Sequence, residues 1–177
     1  MSSSRLIESD QLLDLADGLI AESESDERTI DAQLRRAAST AYYAAFHRWA
    51  RHAAWRLLGE HTWTENHTLV SRWVSHTDLL ALASAVSGQG NVALRRVLEG
   101  SDPQLRGAAE DFIDLQATRH DADYNNGWEG SRRFVVSCVV VARGVVEVSD
   151  ELYAEGEPSY QRFLGLALGG VKVAKSR

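Results

Sequence analysis

Apolar side chains recur with helical spacing along most of the chain, and no apolar run alternates residue by residue as a half-buried strand does. This spacing predicts longer helices over about 6–21, 27–58, 103–124 and 131–153. Shorter helices are expected over about 64–74, 77–86, 92–98 and 160–168. Long helices with short connections and no strands favour an all-α, up-and-down antiparallel helix bundle.

Residues with strong backbone preferences mark several helix ends. Asp102 followed by Pro103 is typical of a helix start, because Asp caps the free N–H groups and Pro is tolerated in the first turn. Gly59 suits the left-handed position that ends a helix. We expect a helical bundle over 1–155, followed by a short helix and a flexible tail over 156–177.

The charge balance limits how this chain can meet nucleic acid. Its 177 residues hold 19 Lys and Arg against 25 Asp and Glu, a formal net charge of −6. An acidic chain repels a polyphosphate in bulk, so any contact with RNA must come from a local basic patch.

The sequence gives no sign of a metal, a disulfide or a membrane span. Cys138 is the single cysteine, and the histidines lack the spacing that places two ligands on one helix face. No uncharged apolar stretch approaches the roughly 20 residues that span a bilayer. We therefore expect a cytoplasmic protein with no metal and no cofactor.

The second predicted helix carries two different faces. One face is apolar and small: Leu34, Ala38, Ala41 and Ala45. The opposite stripe is polar and aromatic, at i, i+4, i+7 and i+11: Arg36, Thr40, Tyr43 and His47. This stripe either lines a groove between helices or makes structural hydrogen bonds in a half-buried helix, and the sequence leaves both interpretations open.

An arginine lies inside the apolar stripe of the helix that starts at Pro103. Arg119 shares a face with Phe112 and Leu115, and a guanidinium there needs a partner to offset its desolvation. Asp123, one turn further on, is the expected partner. The pair either staples two helices together or presents a held arginine to an anion.

Two neighbours of Arg119 lie on the adjacent helix face. His120 and Tyr124 are four residues apart, so their side chains are expected to meet. Either one supplies a polar group for hydrogen bonding or proton transfer.

Two segments resemble motifs of the HEPN superfamily. The run Tyr-Tyr-Ala-Ala-Phe-His at 42–47 resembles the Tyr-Tyr-Ala-x-Phe-His stretch of that family. The run Arg-His-Asp-Ala-Asp-Tyr at 119–124 resembles the Arg-x-x-Ala-Asp-Tyr signature of one HEPN branch. The motifs occur in the family's order, and the resemblance covers about 6–153.

This resemblance implies an up-and-down bundle that forms a two-fold homodimer. Many HEPN proteins are metal-independent endoribonucleases that pair with a minimal nucleotidyltransferase antitoxin or act in phage defence. Their active site uses an Arg followed, after four to six residues, by a His. This chain departs from that pattern, because positions 124–126 are Tyr, Asn and Asn.

The sequence thus leaves two functions open. The first is an RNA- or nucleotide-phosphate-binding HEPN-like protein of a toxin–antitoxin or phage-defence system, which cleaves RNA if a displaced histidine serves. The second is a non-catalytic dimeric scaffold that acts through a protein partner. The candidate phosphate-binding residues are Arg36, Tyr43, Arg119, Asp123 and Tyr124, and the candidate catalytic residues are Arg119, His120 and His47.

Overall fold

The computed structural model describes residues 8–23, 30–60 and 62–175, and every regular element within these ranges is an α-helix. The helices are α1 (Ser9–Glu22), α2 (Ile30–Leu58), α3 (Glu65–Ser71), α4 (His76–Val86), α5 (Val92–Val97), α6 (Pro103–Tyr124), α7 (Arg132–Ala154), α8 (Pro158–Ala167) and α9 (Gly170–Lys175). The all-helical prediction is confirmed for these residues. The predicted starts of the first two helices, at 6 and 27, lie outside the described ranges.

The four long helices alternate in direction. The start of α2 contacts the end of α6 through Arg35 and the carbonyl of Ala122, whereas further along α2 Trp49 packs on Phe112. These pairs require α2 and α6 to run antiparallel. Phe134 near the start of α7 contacts Trp128, whose carbonyl Arg35 of α2 holds, whereas Ser149 further along α7 bonds to Trp49, so α2 and α7 run in the same direction. Asp10 of α1 and Asp150 of α7 both pair with Arg48, while Asp17 pairs with Arg143, so α1 runs antiparallel to α7. The direction therefore reverses from α1 to α2, from α2 to α6 and from α6 to α7.

The central helix, α2, packs closely because its buried face is built from alanine. All five alanines between residues 37 and 45 are fully buried: Ala37, Ala38, Ala41, Ala44 and Ala45. Side chains this small let neighbouring helix backbones approach to the short end of the usual interaxial distance of about 8–10 Å. Further along α2, Trp49 fills the space between helices, with its ring centroid 4.3 Å from Phe112 and 4.9 Å from Phe163.

The capping residues act as the sequence predicts. The carboxylate of Asp102 accepts a hydrogen bond from the backbone N–H of Gln104 at 2.7 Å, and Pro103 opens α6. Gly59 ends α2 with φ of 91°, and its N–H donates to the carbonyl of Trp55 at 2.7 Å. These caps set where α6 begins and where α2 ends.

The segment after residue 156 belongs to the same hydrophobic core. Tyr160, Phe163 and Leu164 of α8 are fully buried. Residues 170–175, which we expected in a flexible tail, form α9, and Val171 on it is fully buried. Residues 176–177 lie outside the described ranges. A helix at Gly170 was not predicted, because two successive glycines are typical of a break.

Candidate functional site

The guanidinium of Arg119 lies at the interface between α6 and α2. Its Nε is 2.8 Å from Oδ2 of Asp123, in an ion pair whose angle falls outside hydrogen-bond geometry. Its Nη2 donates a hydrogen bond to the hydroxyl of Tyr43 at 3.0 Å. The inward orientation and the pairing with Asp123, both expected from the sequence, are thus present.

Arg119 is held firmly yet remains within reach of solvent. Its side chain is 21% exposed, and that of Asp123 is 25% exposed. Among the described residues, Nη1 has no hydrogen-bond partner, and it is not a buried atom either. Nε and Nη2 of the guanidinium therefore have contacts within the protein, while the N–H groups of Nη1 are free to bind an anion.

Two tyrosine rings flank the cation. The guanidinium carbon of Arg119 lies 5.5 Å from the ring centroid of Tyr43 and 5.5 Å from that of Tyr124. Burial opposes the charge on Arg119, but the hydrogen bond and attraction from Tyr43, with Asp123 and Tyr124, outweigh it and raise the pKa. The site therefore carries a permanent positive charge between two aromatic faces.

A second arginine, Arg35, holds the end of α6 against α2. Its Nη1 donates to the carbonyl oxygens of Ala122 at 3.0 Å and Asn125 at 2.8 Å, and its Nη2 donates to that of Trp128 at 2.6 Å. These bonds satisfy carbonyls that the end of a helix leaves free. Because Asp123 lies inside this segment, Arg35 also fixes the carboxylate that pairs with Arg119.

A group of aromatic and histidine rings borders the arginine on the side of α2 and α4. The ring of His47 lies 6.2 Å from that of Tyr43, and the ring of His76 meets Tyr43 edge-on at 5.7 Å. His76 also stacks on Phe46 at 4.0 Å, and its Nδ1 is 2.7 Å from the hydroxyl of Tyr42. Tyr43 therefore touches the arginine and both imidazoles.

Burial keeps these imidazoles neutral at neutral pH. The pKa of His47 is lowered by burial, since the charged form loses its water. The pKa of His76 is lowered by burial first, and then by the positive charge of Arg119 and by His47. The site thus combines one fixed cation with two groups that gain a charge on acidification.

The structure gathers most of the residues that the sequence singled out. Tyr43, Arg119, Asp123 and Tyr124 lie in direct contact, and His47 joins them through Tyr43. We call this group, together with His76, the Arg119 cluster.

Two predicted residues stand apart from the Arg119 cluster. Arg36 is exposed, and its side chain makes no hydrogen bond or ion pair with the described residues. His120 is exposed on the next face of α6, where it borders a shallow depression with Ile113 and Gln116. Its ring lies 5.1 Å from that of Tyr124, as their spacing predicted, so it reaches the cluster only through that tyrosine.

A second polar network, which the sequence analysis missed, is buried at the other end of α2. Arg48 donates from Nη1 to Asp150 at 3.0 Å, and His52 lies 3.3 Å from the same carboxylate oxygen. The other ring nitrogen of His52 is 2.9 Å from the hydroxyl of Tyr160. Arg48 is 7% exposed and His52 is 1% exposed. The network therefore joins α2 to α7 and α8, with Arg48 and His52 buried and the carboxylate of Asp150 at the surface, 44% exposed.

A helical spacing in the sequence of α2 indicates this network. Arg48 and His52 continue the small, buried stripe of Ala41 and Ala45 at helical spacing. Like Arg119, they are polar residues within a buried stripe and need partners there. By contrast, His76 is the first residue of the short helix α4, after its N-cap Ser75, and no local spacing places it beside a residue of α2 or α6.

Nothing in the described ranges marks a metal site or a membrane span. No cluster of three or more His, Cys, Asp or Glu side chains has the geometry to hold a metal ion. Each described helix is too short or too polar to cross a bilayer. The chain matches no protein-family model, no curated protein and no solved structure. The HEPN relationship therefore stays a prediction from the two motifs.

Proposed function

We propose that this protein binds single-stranded RNA by taking a phosphodiester group onto Arg119. The observation that carries the proposal is that contacts within the protein occupy only part of the guanidinium. Nε and Nη2 are held by Asp123 and Tyr43, whereas Nη1 has no described partner and the side chain is 21% exposed. An arginine fixed in this way loses little conformational freedom when an anion arrives, and its planar fork suits a phosphate.

The flanking aromatic rings favour a nucleic acid over a bare anion. Tyr124 is 66% exposed, and it lies at the edge of the Arg119 cluster. A base that stacks on an exposed aromatic ring contributes about 1–3 kcal/mol, whatever its identity. A flexible single strand places a base on Tyr124 and a phosphate on Arg119 together, which a duplex does not.

The setting of this function is inferred from the HEPN resemblance. We place the protein in a toxin–antitoxin or phage-defence system, as a homodimeric HEPN-like bundle that pairs with a minimal nucleotidyltransferase or another defence protein. RNA cleavage would need a group that removes the proton from the ribose 2′-hydroxyl as that oxygen attacks phosphorus. His47 is the candidate from the sequence that lies within the Arg119 cluster.

The experiment is a comparison of two arginine variants on the same helix. Arg106 is exposed on α6, so Arg106→Ala changes the net charge as Arg119→Ala does while leaving the cluster intact. Fluorescence anisotropy with a uridine oligonucleotide should show binding to the wild type and to Arg106→Ala. Arg119→Ala should bind at least tenfold more weakly, and the slope of log K against log salt should fall by about 0.7. Equal binding by both variants would contradict the proposal.

The same samples test cleavage. A 5′-labelled RNA incubated with the wild type in EDTA should be cut if the protein is a metal-independent ribonuclease. Products that end in a 2′,3′-cyclic phosphate would show that the 2′-hydroxyl attacks, and His47→Gln should then abolish the reaction. Binding without any product would restrict the function to RNA recognition.

A second candidate function is a helical scaffold that acts through a protein partner. The observation that favours it is that Arg119 already bridges two helices, through Tyr43 on α2 and Asp123 on α6. If bracing is the whole role, Arg119→Ala lowers the free energy of unfolding but no RNA affinity exists to lose. The anisotropy experiment separates the two functions.

A further inference from the structure

His76 occupies a fixed position at the start of α4. Its Nδ1 is 2.7 Å from the hydroxyl of Tyr42, and its ring stacks on Phe46 at 4.0 Å. Tyr42 is fully buried, and burial raises the pKa of its phenol, so this partner stays uncharged. One ring nitrogen of His76 is thus anchored, and the ring plane is set by stacking.

The second nitrogen of His76 is available to a ligand. Nε2 has no hydrogen-bond partner among the described residues, and it is not a buried unpaired atom. The ring meets Tyr43 edge-on, and the hydroxyl of Tyr43 bonds to Arg119 at 3.0 Å. One tyrosine therefore separates the open nitrogen of His76 from the open donors of Arg119.

Burial, and then the groups around it, disfavour protonation of His76 in the free protein and lower its pKa. From α2 it faces the rings of Tyr42, Tyr43 and His47, and from α6 it faces the charge of Arg119. The one acidic group of the Arg119 cluster, Asp123, pairs with the guanidinium. Bringing in a negative group reverses this balance, because an anion among these side chains favours a positive imidazole.

We propose that His76 is a second ligand of the RNA phosphate at the Arg119 cluster, and that it takes up a proton as the phosphate binds. This inference rests on the proposed function, since it names a further residue and a pH dependence for the same site. The protonated ring donates from Nε2 to a phosphate oxygen, while Nδ1–H donates to the hydroxyl of Tyr42. The phosphodiester then lies between two cations, one permanent and one acquired on binding.

Proton uptake makes RNA binding tighter in acid. A phosphodiester keeps one negative charge across the pH range in question, so a change of affinity with pH reports on the protein. Each unit by which the bound phosphate raises the pKa of His76 corresponds to about a tenfold gain in affinity on acidification. We expect a uridine oligonucleotide to bind about tenfold more tightly near pH 5.5 than near pH 8, provided that the fluorophore does not titrate.

Two glutamine variants locate the proton. Gln keeps a neutral N–H donor close to the position of Nε2 but does not titrate, so the affinity of His76→Gln should stay flat between about pH 8 and pH 5.5, without the gain in acid. His120→Gln is the matched control, since His120 is exposed on the adjacent face of α6 and lies outside the Arg119 cluster, and it should keep the full gain. Circular dichroism at each pH verifies that both variants are folded.

The outcomes separate this inference from the proposed function. Binding that depends on Arg119 but is flat with pH would overturn the inference alone. A gain in acid that survives in His76→Gln and disappears in His47→Gln would assign the proton to the wrong histidine and overturn it as well. Absence of RNA binding at every pH would overturn the proposed function and this inference with it.

A measurement on the wild type avoids any loss of folding in a variant. The Cε1 proton of His76, assigned by its absence in His76→Gln, gives the pKa of this ring by NMR. We expect a value below the ordinary 6.5 in the free protein and a higher value when the oligonucleotide is bound. An unchanged pKa at saturating RNA would overturn the inference.

Discussion

The bond between Tyr43 and Arg119 can be measured in isolation by a double-mutant cycle. Tyr43→Phe removes the hydroxyl but keeps the ring beside the guanidinium. A hydrogen bond to a charged donor contributes about 1.5–3 kcal/mol when buried. Because the Arg119 side chain is 21% exposed, water replaces part of that bond, and we expect a loss of about 1 kcal/mol.

The second variant of the cycle is Arg119→Met, which keeps an apolar side chain in the buried stripe. It removes the bond to Tyr43, an ion pair with Asp123 that contributes at most about 1 kcal/mol, and two cation–π contacts of about 0.5 kcal/mol each. These terms overlap, so we expect a total loss of about 2 kcal/mol. In a chain of this length that shifts Tm by about 4–8 °C.

The decisive quantity is the double variant, measured by urea unfolding. The Tyr43 bond is lost in each single variant, so the double variant should lose about 2 kcal/mol and not the sum of about 3, a coupling of about 1 kcal/mol. Pairing Arg119→Met with Tyr153→Phe gives the control, since Tyr153 packs on His52, away from the cluster, and these losses should add. Additive losses at Tyr43 as well would refute the geometry of the Arg119 cluster.

Three further predictions concern stability and use urea unfolding. The buried indole N–H of Trp49 donates to the hydroxyl of Ser149 at 2.7 Å. Ser149→Ala leaves this donor without a partner and should lower the free energy of unfolding by about 1–3 kcal/mol. A loss below about 0.5 kcal/mol would show that the bond is unimportant. Gly59→Ala places a Cβ at φ of 91° and should lower the free energy of unfolding by about 1 kcal/mol. Gly107→Ala on α6, where a Cβ meets open space, should raise it by about 0.5 kcal/mol. A change of the same sign in both variants would contradict the role of Gly59 as a cap. Burial lowers the pKa of His52, so on acidification the unfolded chain takes up a proton there before the folded protein does. The contribution of His52 to stability is therefore complete above the ordinary pKa of 6.5 and falls as the pH drops below it. A rise in the free energy of unfolding as the pH falls from about 7.5 to 5.5 would contradict this burial.

The parts of the fold that depend on local chemistry could be predicted from the sequence. The Asp102–Pro103 start and the Gly59 end involve neighbouring residues, so their signals lie within a few positions. The inward orientation of Arg119 follows from its apolar stripe, and Asp123 lies one turn away on the same helix. Such contacts need no knowledge of how the helices pack.

The rest of the site depends on contacts between distant parts of the chain. His76 contacts Tyr42 and Tyr43, which lie more than 30 residues earlier in the chain, and the residues next to His76 show no spacing that predicts these contacts. Arg35 was overlooked because its partners are backbone carbonyls after α6, which carry no residue-type signal. A single sequence shows which faces are buried but not which faces meet.

The most direct test of the central claim follows the side chain of Arg119 itself while RNA is added. Its Nε–Hε signal is assigned in ¹H–¹⁵N spectra by its absence in Arg119→Lys. We predict that this signal shifts and saturates with a uridine oligonucleotide, at the affinity given by anisotropy, while other arginine signals move less. An Arg119 signal that stays in place when the oligonucleotide is fully bound would contradict the account.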